Sequence, residues 1–142
     1  MRYIKSCGFI VYDRSEGENR YLVIRGLNGD VGFPKGHVEN GESELQTAVR
    51  ELREETNVEV DVIGGFRREI SYKLPRVKDA VKVTVYFLGR CRDASMLERQ
   101  ETEVLEACFM PYQQALDALT FDETKRILTE AERLINELGD NH

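Results

Sequence analysis

Tryptophan is absent from this chain, cysteine occurs three times and histidine twice, and no apolar run is long enough to span a bilayer. Cys7, Cys91 and Cys108 are too few and too scattered for a disulfide framework or a zinc site, and an odd count points to reduced thiols, so the expected compartment is cytoplasmic. Met1 to Asp13 holds one short apolar stretch broken by Arg2, Lys5 and Asp13, which reads as a strand and not as a signal peptide; no targeting segment is visible. Basic residues are also outnumbered. The 20 Lys and Arg face 26 Asp and Glu, a net charge of −6 that argues against a membrane partner or an extended nucleic-acid surface. No linker, repeat or low-complexity segment divides the 142 residues, whose 41% hydrophobic content can furnish a core, so residues 1–142 read as a single domain.

What the chain does have is carboxylate concentrated in one place. The run from Gly36 to Val58, GHVENGESELQTAVRELREETNV, contains six glutamates. Ser43 followed by Gln46 forms a capping box, and Leu45, Ala48, Val49 and Leu52 recur at helical spacing, which predicts a helix with that stripe facing the core. Glu51, Glu54 and Glu55 then gather off the stripe, about one turn apart. Like charges so placed repel by a few tenths of a kcal/mol per pair, roughly, and Arg50 and Arg53 supply part of the relief. A divalent cation would supply more. Carboxylate oxygens suit Mg2+, which keeps several waters and shares its remaining positions with substrate phosphates. An isolated acidic helix face is usually only solvated, but this one is entered through the loop Phe33-Pro34-Lys35-Gly36-His37 and Glu39-Asn40-Gly41-Glu42.

Around it, Tyr3 to Tyr12 and Tyr21 to Ile24 read as a hairpin, and Val58 to Ile63, Phe66 to Tyr72 and Ala80 to Leu88 as strands. In the last of these, Val81, Val83, Val85 and Phe87 alternate with Lys82, Thr84, Tyr86 and Leu88, so one face is expected in the core and the other available. A strand is expected at Ala107 to Met110 and a short helix over Tyr112 to Leu119. A second capping box, Thr120 to Glu123, opens a helix with Ile127, Leu128, Ala131, Leu134, Ile135 and Leu138 on one stripe before Gly139. Such an order of elements predicts an α/β fold with a mixed sheet covered on both faces.

Gly36, five residues, Glu42, seven residues, Arg50-Glu51-Leu52, one residue, Glu54-Glu55, one residue, Asn57 and Val58 together resemble the Nudix box, the loop-helix-loop motif of the Nudix hydrolases. Eight of its nine fixed positions match; Asn57 stands where the motif has glycine, and asparagine is the next most tolerated residue in a left-handed cap. The resemblance implies a Nudix-type α/β/α sandwich and a hydrolase of a nucleoside diphosphate linked to another moiety. Carried over to matching positions, it implies that Glu51, Glu54, Glu55 and the carbonyl of Gly36 bind Mg2+, with Mn2+ as a substitute, and that Arg50 orients the carboxylates. Glu42 would support them from outside. The general base in this family lies either in the box, here Glu54, Glu55 or Glu51, or in a distant loop, where Glu103 is the candidate and a further metal ligand.

Three further stretches, Lys5 to Gly8, Pro34 to Glu39, and Gly65 to Tyr72, resemble the asymmetrical diadenosine tetraphosphate hydrolases, which implies cleavage of that substrate to ATP and AMP. The tryptophan usual before the box-entry proline is missing here. Between Phe66 and Lys82 stand Arg67, Arg68, Lys73, Arg76, Lys78 and Lys82 against Glu69 and Asp79, a basic island suited to a polyphosphate. Tyr72 and Tyr86 would offer stacking surfaces to a base, while Lys35 and His37 would aim a cation and a titratable donor at the phosphates. The partner is thus a small nucleotide, and the protein a monomer or homodimer. The neighbouring readings are a Nudix hydrolase of ADP-ribose, damaged nucleoside triphosphates or RNA 5′ ends, and, in another class, a nucleotide-sensing module without catalysis.

Overall fold

The computed structural model of the chain describes residues 2–15, 17–73 and 79–139, with the backbone alone described at 15, 72 and 73. Strands β1 (Arg2–Ser15) and β2 (Glu18–Gly26) form the expected hairpin, with Tyr12 opposite Tyr21 and Ser15 opposite Glu18. Two short strands, β3 (Val31–Gly32) and β4 (Lys35–His37), lead into α1 (Glu44–Thr56). Then come β5 (Val60–Lys73), β6 (Ala80–Cys91), β7 (Val104–Pro111), α2 (Tyr112–Ala118) and α3 (Asp122–Leu138). The strand order is β3-β2-β1-β6-β5, with β4 added to β1 and β7 to β2. β1 and β6 run parallel, from Arg2 beside Ala80 to Tyr12 beside Arg90, and the other pairings are antiparallel, so the sheet is mixed.

Alternation at a period of two gives this sheet two cores. Cys7, Phe9 and Val11 of β1 pack with Ala48 and Leu52 of α1, whereas Ile10 and Tyr12 pack with Ile127, Leu128, Ala131 and Ile135 of α3. The result is an α/β/α sandwich. Central β6 differs from its expected one-sided pattern: Val83 and Val85 face the α1 core, but Thr84, Tyr86 and Leu88 are buried as well, because α3 covers the second face. Its expected availability is confined to a cleft that reaches Lys82, Thr84 and Tyr86.

The two strands expected over Val58 to Tyr72 are one. The β5–β6 register shifts between Ile63 and Arg67, where Gly64 and Gly65 lie; Gly65 has φ +86, a conformation glycine adopts without a Cβ clash, and the bulge bends the strand without ending it. At the other edge of the sandwich the second capping box does not form. The N-cap of α3 is Phe121, without a side-chain cap bond, and the Thr120 hydroxyl instead accepts from the Val31 N–H at 2.8 Å.

The end of α1 shows what asparagine adds at position 57. Asn57 sits at φ 61, ψ 16 with its N–H on the Arg53 carbonyl, and its side-chain Nδ2 donates to the Met96 carbonyl at 3.0 Å, tying a short 3-10 turn (Ala94–Met96) to the helix end. Asn57→Ala is expected to lower stability by about 1–3 kcal/mol, from the left-handed backbone cost and the lost bond. Asn57→Gly removes only the tether and should cost about 1 kcal/mol or less. Urea denaturation of both variants checks the ranking; an alanine variant as stable as the glycine variant would refute the conformational argument.

Candidate active site

Helix α1 is turned roughly 45° about its axis from the expected orientation, at 100° per residue. Ala48 and Leu52 are buried, but Leu45 and Val49 are exposed, and the inner face is completed by Thr47, Glu55 and Thr56. The threonines tolerate this because their hydroxyls are satisfied along the helix: Thr56 Oγ1 donates to the Leu52 carbonyl at 2.6 Å and Thr47 Oγ1 to the Ser43 carbonyl at 3.1 Å. The three carboxylates therefore do not share a solvated face. Glu55 is 6% exposed and the Glu51 side chain 14%, while that of Glu54 is 51% exposed.

Arg50 is the hub of the acidic cluster. Its Nε and Nη2 make a fork with the Glu42 carboxylate at 2.7 and 3.0 Å, its Nη1 reaches Glu51 at 2.7 Å and Glu54 at 3.2 Å, and Nη2 also bonds the His37 carbonyl at 3.0 Å. One planar cation thus joins the loop to the helix. Glu42 further accepts from the Glu39 N–H and the Thr47 hydroxyl. The Arg50 fork, followed by those bonds, holds the Glu42 carboxyl at a pKa of about 2.

Glu51 reaches past α1 to β4. A Cβ on Gly36 would overlap the Glu51 carboxyl, so glycine is required for that carboxylate to lie against the β4 backbone. Glu55 meets Glu51 from the same side; burial first, and then the Glu51 charge, push the Glu55 carboxyl up to about 8. Facing them is Lys35, whose pKa is lowered by burial and by neighbouring Lys82.

A cleft of about 800 Å3 opens beside this pair. Lys35, Lys82, Thr84, Tyr86, Glu55 and Glu103 all line it, so one cavity brings together residues from β4, β6, α1 and the turn before β7. Glu103 is brought there by the end of α1. The Glu98 and Gln100 N–H groups donate to the Thr56 and Glu55 carbonyls at 2.9 and 2.8 Å, and Gln100 in turn accepts from the Glu103 N–H.

Other expected residues lie elsewhere. His37 is exposed outside the cleft and takes part through its carbonyl. The basic island is divided, because successive residues of a strand point to opposite faces. Arg67 forks onto Glu44 with two bonds of 2.9 Å on the α1 side; Arg68 bonds Glu130 of α3 at 2.9 Å and lies 4.3 Å from the Phe66 ring. Arg68 is therefore a brace between β5 and α3, not a cleft residue. Tyr72 is the backbone partner of Lys82, its side chain lying outside the described residues, as does all of Lys78. Tyr86 lines the cleft but is buried, 3% exposed, in a T-shaped contact with Phe33, centroids 5.6 Å apart, so it offers a base little accessible surface.

A NUDIX domain model matches residues 3–131. The chain belongs to the Nudix family. Among curated Nudix relatives, the asymmetrical bis(5′-nucleosyl)-tetraphosphatase of Rattus norvegicus is 31% identical, over 93% of this chain and 95% of that protein. The Mus musculus protein of the same description is 29% identical over the same shares. Among solved structures, a binary complex of the C. elegans Ap4A hydrolase superposes with a TM-score of 0.85 at 21% identity, covering 94% of this chain and 98% of that one, a likeness of fold. The chain is thus a Nudix hydrolase related to the asymmetrical tetraphosphatases.

Nudix hydrolases act on small nucleotide substrates and generally use divalent metal ions. The donor set here fits such an ion. Two carboxyls, Glu51 and Glu55, are pressed together in a poorly solvated seam against a backbone kept clear of any Cβ, where ionising both is costly and a dication would offset that cost. Among the described residues no three ligating side chains converge, since Glu54 is drawn outward onto Arg50. The cleft residues absent from the sequence reading are chiefly those of its mouth: Leu27, Asn28 and Asp30 after β2, and Phe121, Glu123 and Thr124 at the start of α3. The available signal was the placing of a large apolar residue, Phe121, beside a helix start.

Proposed function

We propose that the protein hydrolyses dinucleoside polyphosphates, cleaving diadenosine tetraphosphate asymmetrically to ATP and AMP in a Mg2+-dependent reaction. The observation that carries this reading is the cleft in which Lys35 and Lys82 lie with Glu55 and Glu103 below a mouth edged by an exposed aromatic ring. The rat and mouse relatives, matched across nearly their whole length, support the choice among Nudix substrates.

Glu51, Glu54, Glu55 and the Gly36 carbonyl would hold the Mg2+, which when bound supplies charge neutralisation at phosphate oxygens and a more acidic water. Arg50 keeps Glu42, Glu51 and Glu54 in register. Lys35 and Lys82 offset the charge of the phosphate chain and orient it along the cleft. Glu103, which lines the cavity and has no ion pair among the described residues, accepts the proton of the attacking water as the P–O bond to the departing nucleotide breaks. Phe121, half exposed at the rim, stacks a base in place of Tyr86. Residues 1–142 act as one catalytic domain. The cytosol suits them, because Cys7, Cys91 and Cys108 are unpaired and no described helix is long and apolar enough to cross a membrane.

The test is product analysis over diadenosine tetraphosphate, ADP-ribose, nucleoside triphosphates and triphosphorylated RNA, with and without Mg2+. ATP plus AMP from diadenosine tetraphosphate, at the highest kcat/KM of the panel, is the expected result. Preference for another substrate refutes the assignment, and binding without turnover of any of them would make the protein a sensor.

A further inference from the structure

Thr120 breaks a local rule. A threonine three residues before Glu123, at the start of an amphipathic helix, is the pattern of a helix cap, yet its hydroxyl points away from α3. It accepts from the Val31 N–H at 2.8 Å while the Thr120 N–H donates to the Val31 carbonyl at 3.1 Å, a reciprocal pair joining segments 89 residues apart. The helix start is left without a side-chain cap. Departures of this kind concentrate where function competes with local stability.

The pair lies where the two walls of the cleft mouth meet. One wall is the β2–β3 connection with Leu27, Asn28 and Asp30, itself folded by Asn28 and Asp30 bonding one another. The other is the start of α3, with Phe121, Glu123 and Thr124. Phe121 and Leu27 are 51% and 62% exposed, large apolar groups left open on either wall. Phe121 follows Thr120 directly, and its carbonyl is braced by the Thr124 hydroxyl at 2.8 Å, so its backbone is fixed from both sides. The cationic groups lie at one end: Lys35 and Lys82 come from β4 and β6, beside Glu55 and Glu103, while Asp30 of the β2–β3 connection and Glu123 of the first turn of α3 bring no cation to the mouth. A polyphosphate is drawn towards the strands and an uncharged nucleoside left at the loops.

We propose that Thr120 is a positioning residue for the nucleoside end of the substrate, setting the gap between the Leu27 and Phe121 walls through its pair with Val31. The proposal rests on the dinucleoside polyphosphate reading given above. Thr120 touches no substrate atom and acts through Phe121.

Thr120→Val keeps the shape and removes the acceptor; Thr120→Ser keeps the acceptor. In the full chain with Mg2+, Thr120→Val is expected to raise KM for diadenosine tetraphosphate about 5- to 10-fold, the worth of one neutral hydrogen bond, with kcat changed by less than about twofold. Thr120→Ser should return KM to near the wild-type value, and amide exchange at Val31 should accelerate in the valine variant alone. If the valine variant does not fold, Thr120→Ala carries the same expectation. Equal KM in the wild type and the valine variant, while Phe121→Ala raises KM, overturns the clamp and leaves the substrate reading intact. Equal KM in all three overturns both the clamp and the placing of the nucleoside at the mouth. A serine variant as impaired as the valine variant also overturns the proposal, since the hydroxyl would then not be the operative group.

Discussion

Glu55→Gln is expected to lower kcat roughly a thousandfold or more while raising the thermal stability of the metal-free protein. Glutamine has nearly the same shape, so its place beside Lys35 of β4 is retained. What changes is charge. The Glu55 carboxyl is 6% exposed and lies against Glu51, and its pKa is raised to about 8 by burial and then by that neighbour. An acid with a raised folded pKa costs nothing while protonated, below the ordinary carboxylate range near 4.5, and costs progressively more as pH climbs towards 8. The variant's advantage should therefore widen from about pH 5 to pH 8, reaching roughly 2–5 °C in melting temperature. Mg2+ should reverse the order, stabilising the wild type and having little effect on the variant. Near-normal turnover would sink the proposed metal role of Glu55. A melting temperature below the wild type without metal would sink the view of its charge as a stability cost accepted for function.

Gly36→Ala should reduce kcat/KM by roughly a hundredfold or more with only a small loss of stability, and Gly8→Ala should do nearly the opposite. Both glycines are closely approached, but by different things. A Cβ at Gly36 meets the carboxyl end of Glu51, a side chain that can swing aside and in doing so leaves its place in the acidic cluster. A Cβ at Gly8 meets the Pro34 carbonyl and the Lys35 backbone, which the β1–β4 pairing holds in place. The first substitution displaces a functional group, costing about 1 kcal/mol or less of stability; the second displaces main chain, costing about 2–3 kcal/mol. Urea midpoints and kcat/KM measured on the two variants separate these outcomes. A fully active Gly36→Ala would show that the position of Glu51 is immaterial.

Much of this was legible in the residues. The capping box at Ser43, the turn at Asn57, the α3 stripe and the glutamate spacing from Gly36 to Val58 are local, and local chemistry survives folding. What the sequence concealed was rotation and pairing. Leu45, Ala48, Val49 and Leu52 define a respectable stripe, but back-bonded Thr47 and Thr56 pass as apolar and let α1 turn until Glu55 is inside. Charge counts concealed the rest: Arg67 and Arg68 add to a basic island on paper, yet opposite faces of β5 commit them to Glu44 and Glu130. The cleft mouth was invisible because it is assembled from residues 27–30 and 121–124, nearly a hundred positions apart.

The parallel pairing of β1 with β6 carries a consequence for the emergence of the chain from a ribosome. β1 finds its antiparallel partner at once in β2, across a tight connection, but its other edge waits for Ala80 to Arg90. At roughly 5–20 residues per second, the interval between Arg2 and Ala80 is about 4–16 s. Throughout it, Phe9, Ile10 and Val11 stand on a strand with one edge unpaired, an aggregation-prone arrangement. Synthesis of β6 is therefore the event that covers this edge of β1, and slow translation upstream of Ala80 would prolong its exposure.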